Sequence, residues 1–171
     1  MHMSDTIDIN ATPDVVYKAL LDPEVLLDCI PGASEVTGNA TDGYEATVTQ
    51  KVGPVKATFK GKVTMPDMVQ NKRLTIAGEG KGGAAGHAKG GADVTFEATE
   101  DGGTWLHYDV DVKIGGKLAQ LGSRIIDSFA KKLADQFFTN LREGLEGPND
   151  EGDAAKETPK KGWFKRITVG A

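Results

Sequence analysis

Residues 78–91 read GEGKGGAAGHAKGG, seven glycines in fourteen, with G-x-G-x-x-G spacing at Gly78, Gly80 and Gly83. Such spacing cradles a pyrophosphate when the glycines join a strand to a helix, because the free N–H groups of the helix meet the anion. RLTIAG supplies a strand, but a second alternating stretch follows where the helix should begin, and no GK[ST] triplet is present. Nucleotide binding is therefore not expected. The glycines read better as two strands and their hairpin stripped of side chains. That pattern bends a sheet or leaves room beside a cavity.

Other reactive residues are few. The single cysteine, Cys29, lies in the apolar run VLLDCIP and reads as a small buried thiol. No base is near it in sequence to form a thiolate, and one cysteine makes no internal disulfide. His87 has no second histidine or cysteine close by and reads as a surface residue. His107 and Asp109 share one strand face, as a dyad would. Trp105 and Asp111 share it too, so an exposed polar face is the expected account. There is no metal-spaced His/Cys cluster and no G-x-S-x-G elbow. No catalytic residue is assigned.

The elements that would position these residues follow from periodicity. TIDIN alternates as a first strand. TPDVVYKALLD follows, with Thr12 at an N-cap and Pro13 at the first helical position. Pro23 ends that helix and starts a short second one, PEVLLDC, which Pro31 and Gly32 close. The period then falls to two. YEATVTQKV, VKATFKGKVTM, RLTIAGEG, ADVTFEATE and WLHYDVDVKI each carry one apolar and one polar face, as in an antiparallel sheet covered on one side. Lys51, Lys56, Lys60 and Lys62 make a basic strip on the sheet. From Lys117 to about Leu141, Leu118, Leu121, Ile125, Phe129, Leu133, Phe137 and Leu141 recur at helical spacing. The order is β-α-α-(β)n-α with about six consecutive strands before the last helix. The expected class is α+β, a curved antiparallel sheet around a long C-terminal helix. One helix cannot fill so wide a trough, and a hydrophobic cavity is the by-product.

Composition sets outer bounds. The chain has 171 residues, 39% hydrophobic and 26% charged, with a net charge of −5. That balance suits one soluble domain plus a tail and argues against a surface that grips nucleic acid. No apolar run is long enough to span a bilayer and no signal peptide opens the chain, so the cytoplasm is expected.

DPEVLLDCIPG, YEATVTQKVGPVKATFKGKV, GEGKGGAAGHAKGGADV and GGKLAQLGSRIIDSFAKKLADQFF together resemble the G-subunit family of carbon monoxide dehydrogenase. That family is a branch of the START-like, helix-grip (SRPBCC) superfamily. The resemblance runs from about Asp5 to Leu145, and none of its motifs is catalytic. It implies a β-α-α-β6-α fold with an apolar cavity. It also implies an accessory role beside a molybdenum-containing hydroxylase of the carbon monoxide dehydrogenase type, linking that enzyme to the membrane. The ligand that suits this role is a quinone, menaquinone or ubiquinone, or another isoprenoid lipid, held without a covalent bond. Molybdenum, flavin and iron–sulfur centres have no site in this sequence, since a Cys-ligated cluster needs more than Cys29.

Residues 4–145 are read as the ligand-binding domain. The cavity is assigned to Phe59, Phe96, Tyr108, Leu121, Ile125 and Phe129, with Leu26, Leu27 and Ile30 near its entrance. Each would serve equally as ordinary core. Tyr108 can give one hydrogen bond to a carbonyl. Residues 146–159 are acidic, lack an apolar pattern and read as a disordered linker. Residues 160–171 reverse sign: Lys160, Lys161, Lys165 and Arg166 surround Trp163, Phe164 and Ile167. Basic residues with interfacial aromatics suit an anionic membrane, which four cations would hold by up to ~4 kcal/mol. A protein groove or a plain tail are the other readings. The expectation is a non-enzymatic carrier and adaptor, cytoplasmic and peripheral on the inner face of the cell membrane. The alternatives are a recruitment adaptor without ligand and a small-molecule cyclase or dehydratase. The enzyme needs an acid or base in the cavity, where only Gln50 and Tyr108 face inward.

Overall fold

The computed structural model describes residues 1–146. The period-two stretches become seven strands of one sheet. Strand β1 (His2–Ile9) leads to helices α1 (Pro13–Leu21) and α2 (Pro23–Cys29). Six strands then run in succession: β2 (Ala33–Asn39), β3 (Gly43–Val52), β4 (Val55–Val69), β5 (Arg73–Lys81), β6 (His87–Ala98) and β7 (Thr104–Gly115). Helix α3 (Ser123–Glu146) ends the described chain. The spatial order is β1-β7-β6-β5-β4-β3-β2, with every neighbour antiparallel. The linker and basic tail assigned to residues 146–159 and 160–171 lie outside the described residues, apart from Glu146.

Local chemistry explains the joints. Both short helices start at proline, whose missing N–H costs nothing at the first position. The Asp22 carboxylate accepts from the Glu24 N–H at 2.9 Å and caps α2, whereas Thr12 caps α1 only through its carbonyl. After α2 the chain turns at Gly32 (φ 81°), where an added Cβ would collide with the Thr49 carbonyl, so only glycine fits. The Gln50 side chain bonds the Pro31 carbonyl, and the Tyr44 hydroxyl donates to the Leu21 carbonyl at 2.6 Å. These bonds fasten the two short helices to one side of the sheet.

The long helix begins later than its periodicity suggests. Residues Gly116–Leu121 form 3-10 turns, and Gly122 (φ 90°) breaks the path before α3 starts at Ser123. The break shifts the phase of the apolar stripe. Ile126 and Leu118 point into the core, while Ile125 is left 39% exposed. At 24 residues α3 is about 36 Å long.

The core is in two pieces. The larger holds Ile9, Val16, Val25, Cys29, Leu74, Leu106, Leu141 and Leu145, all sealed from solvent, with Phe96 and Tyr108. It lies where α1, α2 and the C-terminal half of α3 meet the sheet. The smaller holds only Val52, Leu118 and Ile126 as buried residues, flanked by half-buried Phe59, Leu121 and Phe129. It lies at the other end, under the start of α3.

Candidate functional site

Between the two core pieces the sheet has little to offer the helix. Strand pairing places Ala46, Gly61, Gly80 and Ala88 in one inward-facing row, and Gly78 beside Gly90 in the next. This is the glycine stretch seen in the sequence. Two strands and their loop carry it, and its outcome is a floor without side chains. Gly90 is forced, because a Cβ there would run into the Asp111 carbonyl. Gly80 is not, since a Cβ there would meet nothing within 4 Å. The space over Gly80 is therefore a property of the trough rather than of a tight backbone.

The walls of this middle band are apolar and unfinished. Val63 and Met65 from β4, Val112 from β7, and Leu133 from α3 are half-buried. None belongs to either core cluster. Helix α3 makes most of its close backbone approaches to α2, β1 and the 3-10 turns, and a lesser one to β3. Apolar side chains that face inward without close packing forfeit dispersion contacts that an apolar guest restores.

The residues named from sequence fall in three groups. Phe96 and Tyr108 lie within the large, well-packed cluster; Phe96 meets Tyr17 edge-on at 5.7 Å between ring centres. Phe59, Leu121 and Phe129 surround the small cluster, and Ile125 sits at its rim. Leu26, Leu27 and Ile30 are half-buried on and after α2 and belong to neither cluster. A groove of about 400 Å³ lies between Pro31 and the Lys132, Gln136 and Asn140 side of α3, and none of Leu26, Leu27 and Ile30 lines it. Asn140 spans it with a 3.0 Å bond to the Cys29 carbonyl. Sequence reasoning favours large aromatics and does not name Val63, Met65, Val112 or Leu133 as cavity residues. The signal for two of them is a glycine opposite: Gly78 faces Val63 and Gly90 faces Val112.

Tyr108 stands apart chemically. Its ring stacks on Phe138 with centres 5.2 Å apart, and its hydroxyl is buried with no hydrogen-bond partner. A buried hydroxyl left unpaired is costly, which makes it a donor waiting for an acceptor. Burial holds its phenol above the ordinary range; Asp5 and Asp135 push the same way and Lys131 opposes them. Tyr108 is thus a neutral donor at physiological pH.

The catalytic candidates come apart. His107 bonds Thr6 Oγ1 at 2.8 Å and Glu97 at 3.1 Å, while Asp109 meets His2 at 2.7 Å, so His107 and Asp109 form no dyad. Cys29 is fully buried. His87 is exposed, its ring lying over Gly115. Among the described residues no group of three or more His, Cys, Asp or Glu is placed to hold a metal ion. No described helix is long and apolar enough to cross a membrane.

Comparison with known proteins matches this architecture. The family model of the carbon monoxide dehydrogenase G subunit (CoxG) matches residues 6–146. A conserved protein from Geobacillus kaustophilus has 24% identity and a TM-score of 0.78, over 84% of this chain and 93% of its own. A START superfamily protein from Mycobacterium smegmatis has 15% identity and a TM-score of 0.62, over 85% and 97% respectively. At such identities the solved structures speak for the fold, which is START-like. No curated protein gives a significant match.

Proposed function

The chain belongs to the CoxG family of carbon monoxide dehydrogenase, an accessory rather than a catalytic subunit family, and on that premise we propose that it carries a hydrophobic ligand for its partner enzyme. The partner is a molybdenum hydroxylase of the carbon monoxide dehydrogenase type, and the metal chemistry belongs to that enzyme. The ligand is a quinone or another isoprenoid lipid, held between α3 and the sheet. The carrier also links the enzyme to the membrane, where its electron acceptor is found.

The observation that supports this reading most is the divided core: half-buried apolar walls face a floor of Gly61, Gly78, Gly80 and Gly90. An isoprenoid chain would cover Val63, Val112 and Leu133 and gain about 25 cal/mol per Å² of apolar surface removed from water, before binding costs. A quinone carbonyl would accept a hydrogen bond from the Tyr108 hydroxyl and supply its missing partner. The basic tail, with Trp163, Phe164 and Ile167 among Lys160, Lys161, Lys165 and Arg166, would tether the domain to an anionic bilayer.

Native mass spectrometry of the full-length protein, made in a quinone-containing bacterium, tests the reading. A stoichiometric quinone or isoprenoid adduct, recovered by organic extraction, is the expected result. An apo mass that stays unchanged after incubation with quinone would remove the carrier and leave an adaptor.

A further inference from the structure

Cross-strand register sets like charges against one another at one end of the outer sheet face. Lys51 lies opposite Lys56, Lys60 opposite Lys81, and Lys89 opposite Lys113. Directly opposed residues are about 4.5–5.5 Å apart at Cβ, where like charges weaken a sheet. All six lysines are exposed, and none has an ion-pair partner among the described residues. Lys62 is flanked by acids, Glu45 and Glu79, and Lys89 faces Glu79 on its other side; the other five have no acid directly opposite them. The three pairs share the end of the sheet where the β3–β4 turn, the β5–β6 loop and the exit of β7 come together. Exposed Lys117 and Arg124 continue the patch toward α3. The opposite end of the outer face is acidic, with Asp93 set against Asp109.

Apolar side chains sit at the edge of the same patch. A Cβ on Gly53, in the turn between Lys51 and Lys56, would lie 3.6 Å from Ile125 and 3.9 Å from Leu121. Ile125 is more than a third exposed. Leu121 packs inward with the small cluster of the trough.

We propose that this lysine-bearing end of the folded domain lies on an anionic bilayer, with Leu121 and Ile125 at the lipid boundary. Three features favour a bilayer over an acidic protein. The cations are almost all lysine, a compact point charge suited to a diffuse field of headgroups, where carboxylate recognition favours the planar fork of arginine. The three opposed pairs repel across the strands, so a continuous anionic surface relieves several pairs together. An exposed aliphatic side chain, Ile125, adjoins them, as in interfacial anchors. The surface rests on the lipid-carrier reading for its purpose, since it sets the loosely filled end of the trough against the source of the ligand.

The test uses the full-length chain and vesicles of phosphatidylcholine, with and without phosphatidylglycerol. Ile125→Cys is labelled with a polarity-sensitive fluorophore; Trp105→Cys, labelled likewise, reports the acidic end. The Ile125→Cys label is expected to shift to the blue only with phosphatidylglycerol and to revert in high salt, while the Trp105→Cys label stays unchanged. Lys51→Gln with Lys56→Gln should lower partition onto anionic vesicles roughly thirtyfold, with no loss of thermal stability. A label at position 125 that stays in water while the chain sediments with vesicles would overturn the proposal, leaving contact to the basic tail. So would partition that ignores the double substitution. A blue shift in a chain that stays free of quinone after incubation with it would sink the carrier reading and leave the docking surface standing; bound quinone without the shift would do the reverse.

Discussion

At the α1 end of the trough, Ile9, Leu74, Leu106, Leu141 and Leu145 are closed off from water and interlock with both short helices. At the α3 start, the buried cluster holds only Val52, Leu118 and Ile126, and Phe59, Leu121 and Phe129 are half-covered. One sheet and one helix make both ends, so fold alone does not explain the difference. What differs is the filling. The closed end receives two extra helices, tied down by Tyr44 and Gln50. The middle receives glycines where side chains would have met α3. On the proposed reading the closed end carries stability, and the middle and open end take the guest.

Mutations should separate these duties. Leu106→Ala removes a fully buried side chain from the closed end. It should cost about 3 kcal/mol in a urea melt, within the usual range for such truncations. Leu133→Ala, in the middle band, should cost less than about 1 kcal/mol, because its surroundings are already incomplete. It should weaken quinone binding about tenfold in a fluorescence titration, reversing the order of the two substitutions. Equal stability losses would mean that the middle is ordinary core.

Tyr108→Phe sharpens the comparison at smaller scale. The buried hydroxyl has no partner, so its removal should leave apo stability unchanged or raise it by up to about 1 kcal/mol. Affinity for a quinone should drop several-fold, about one hydrogen bond, and affinity for a plain isoprenoid alcohol less. A stability loss instead would show that the hydroxyl serves the fold.

The weakest expected effect is at high pH. Burial raises the phenol pKa of Tyr17, Tyr44 and Tyr108 above the ordinary 10.0. The unfolded chain therefore loses those protons first. Their contribution is complete below pH 10 and declines as pH rises from there toward the folded values. Melts from pH 9 to 11.5 should show that decline, and Tyr108→Phe should make it shallower.

Much of the architecture is legible because alternation and proline are strong local signals. The strands VKATFKGKVTM and WLHYDVDVKI, the proline-started helices and the IPG turn all stand where their residues place them. Strand β2, ASEVTGN, escapes the pattern, since Val36 is nearly its only apolar residue and pairing with β3 is what holds it. The start of α3 is misplaced by periodicity because 3-10 turns and Gly122 preserve apolar spacing while shifting its phase. The middle band is hardest to see. Phe96 and Tyr108 pack in the larger cluster, where the Tyr108 hydroxyl is left without a partner. The space itself is written in glycines spread over β4, β5 and β6, which only register brings into one patch.

The central claim is that the space above Gly80 is room for a ligand, and Gly80→Leu tests it most directly. The position is a strand glycine with nothing within 4 Å of an added Cβ. Native mass spectrometry and a thermal melt of the full-length variant would be read together. A chain that melts at or above the wild-type temperature and has lost its quinone adduct is the predicted result. A variant that keeps stoichiometric quinone, or that melts far lower because the leucine finds no room, would contradict it.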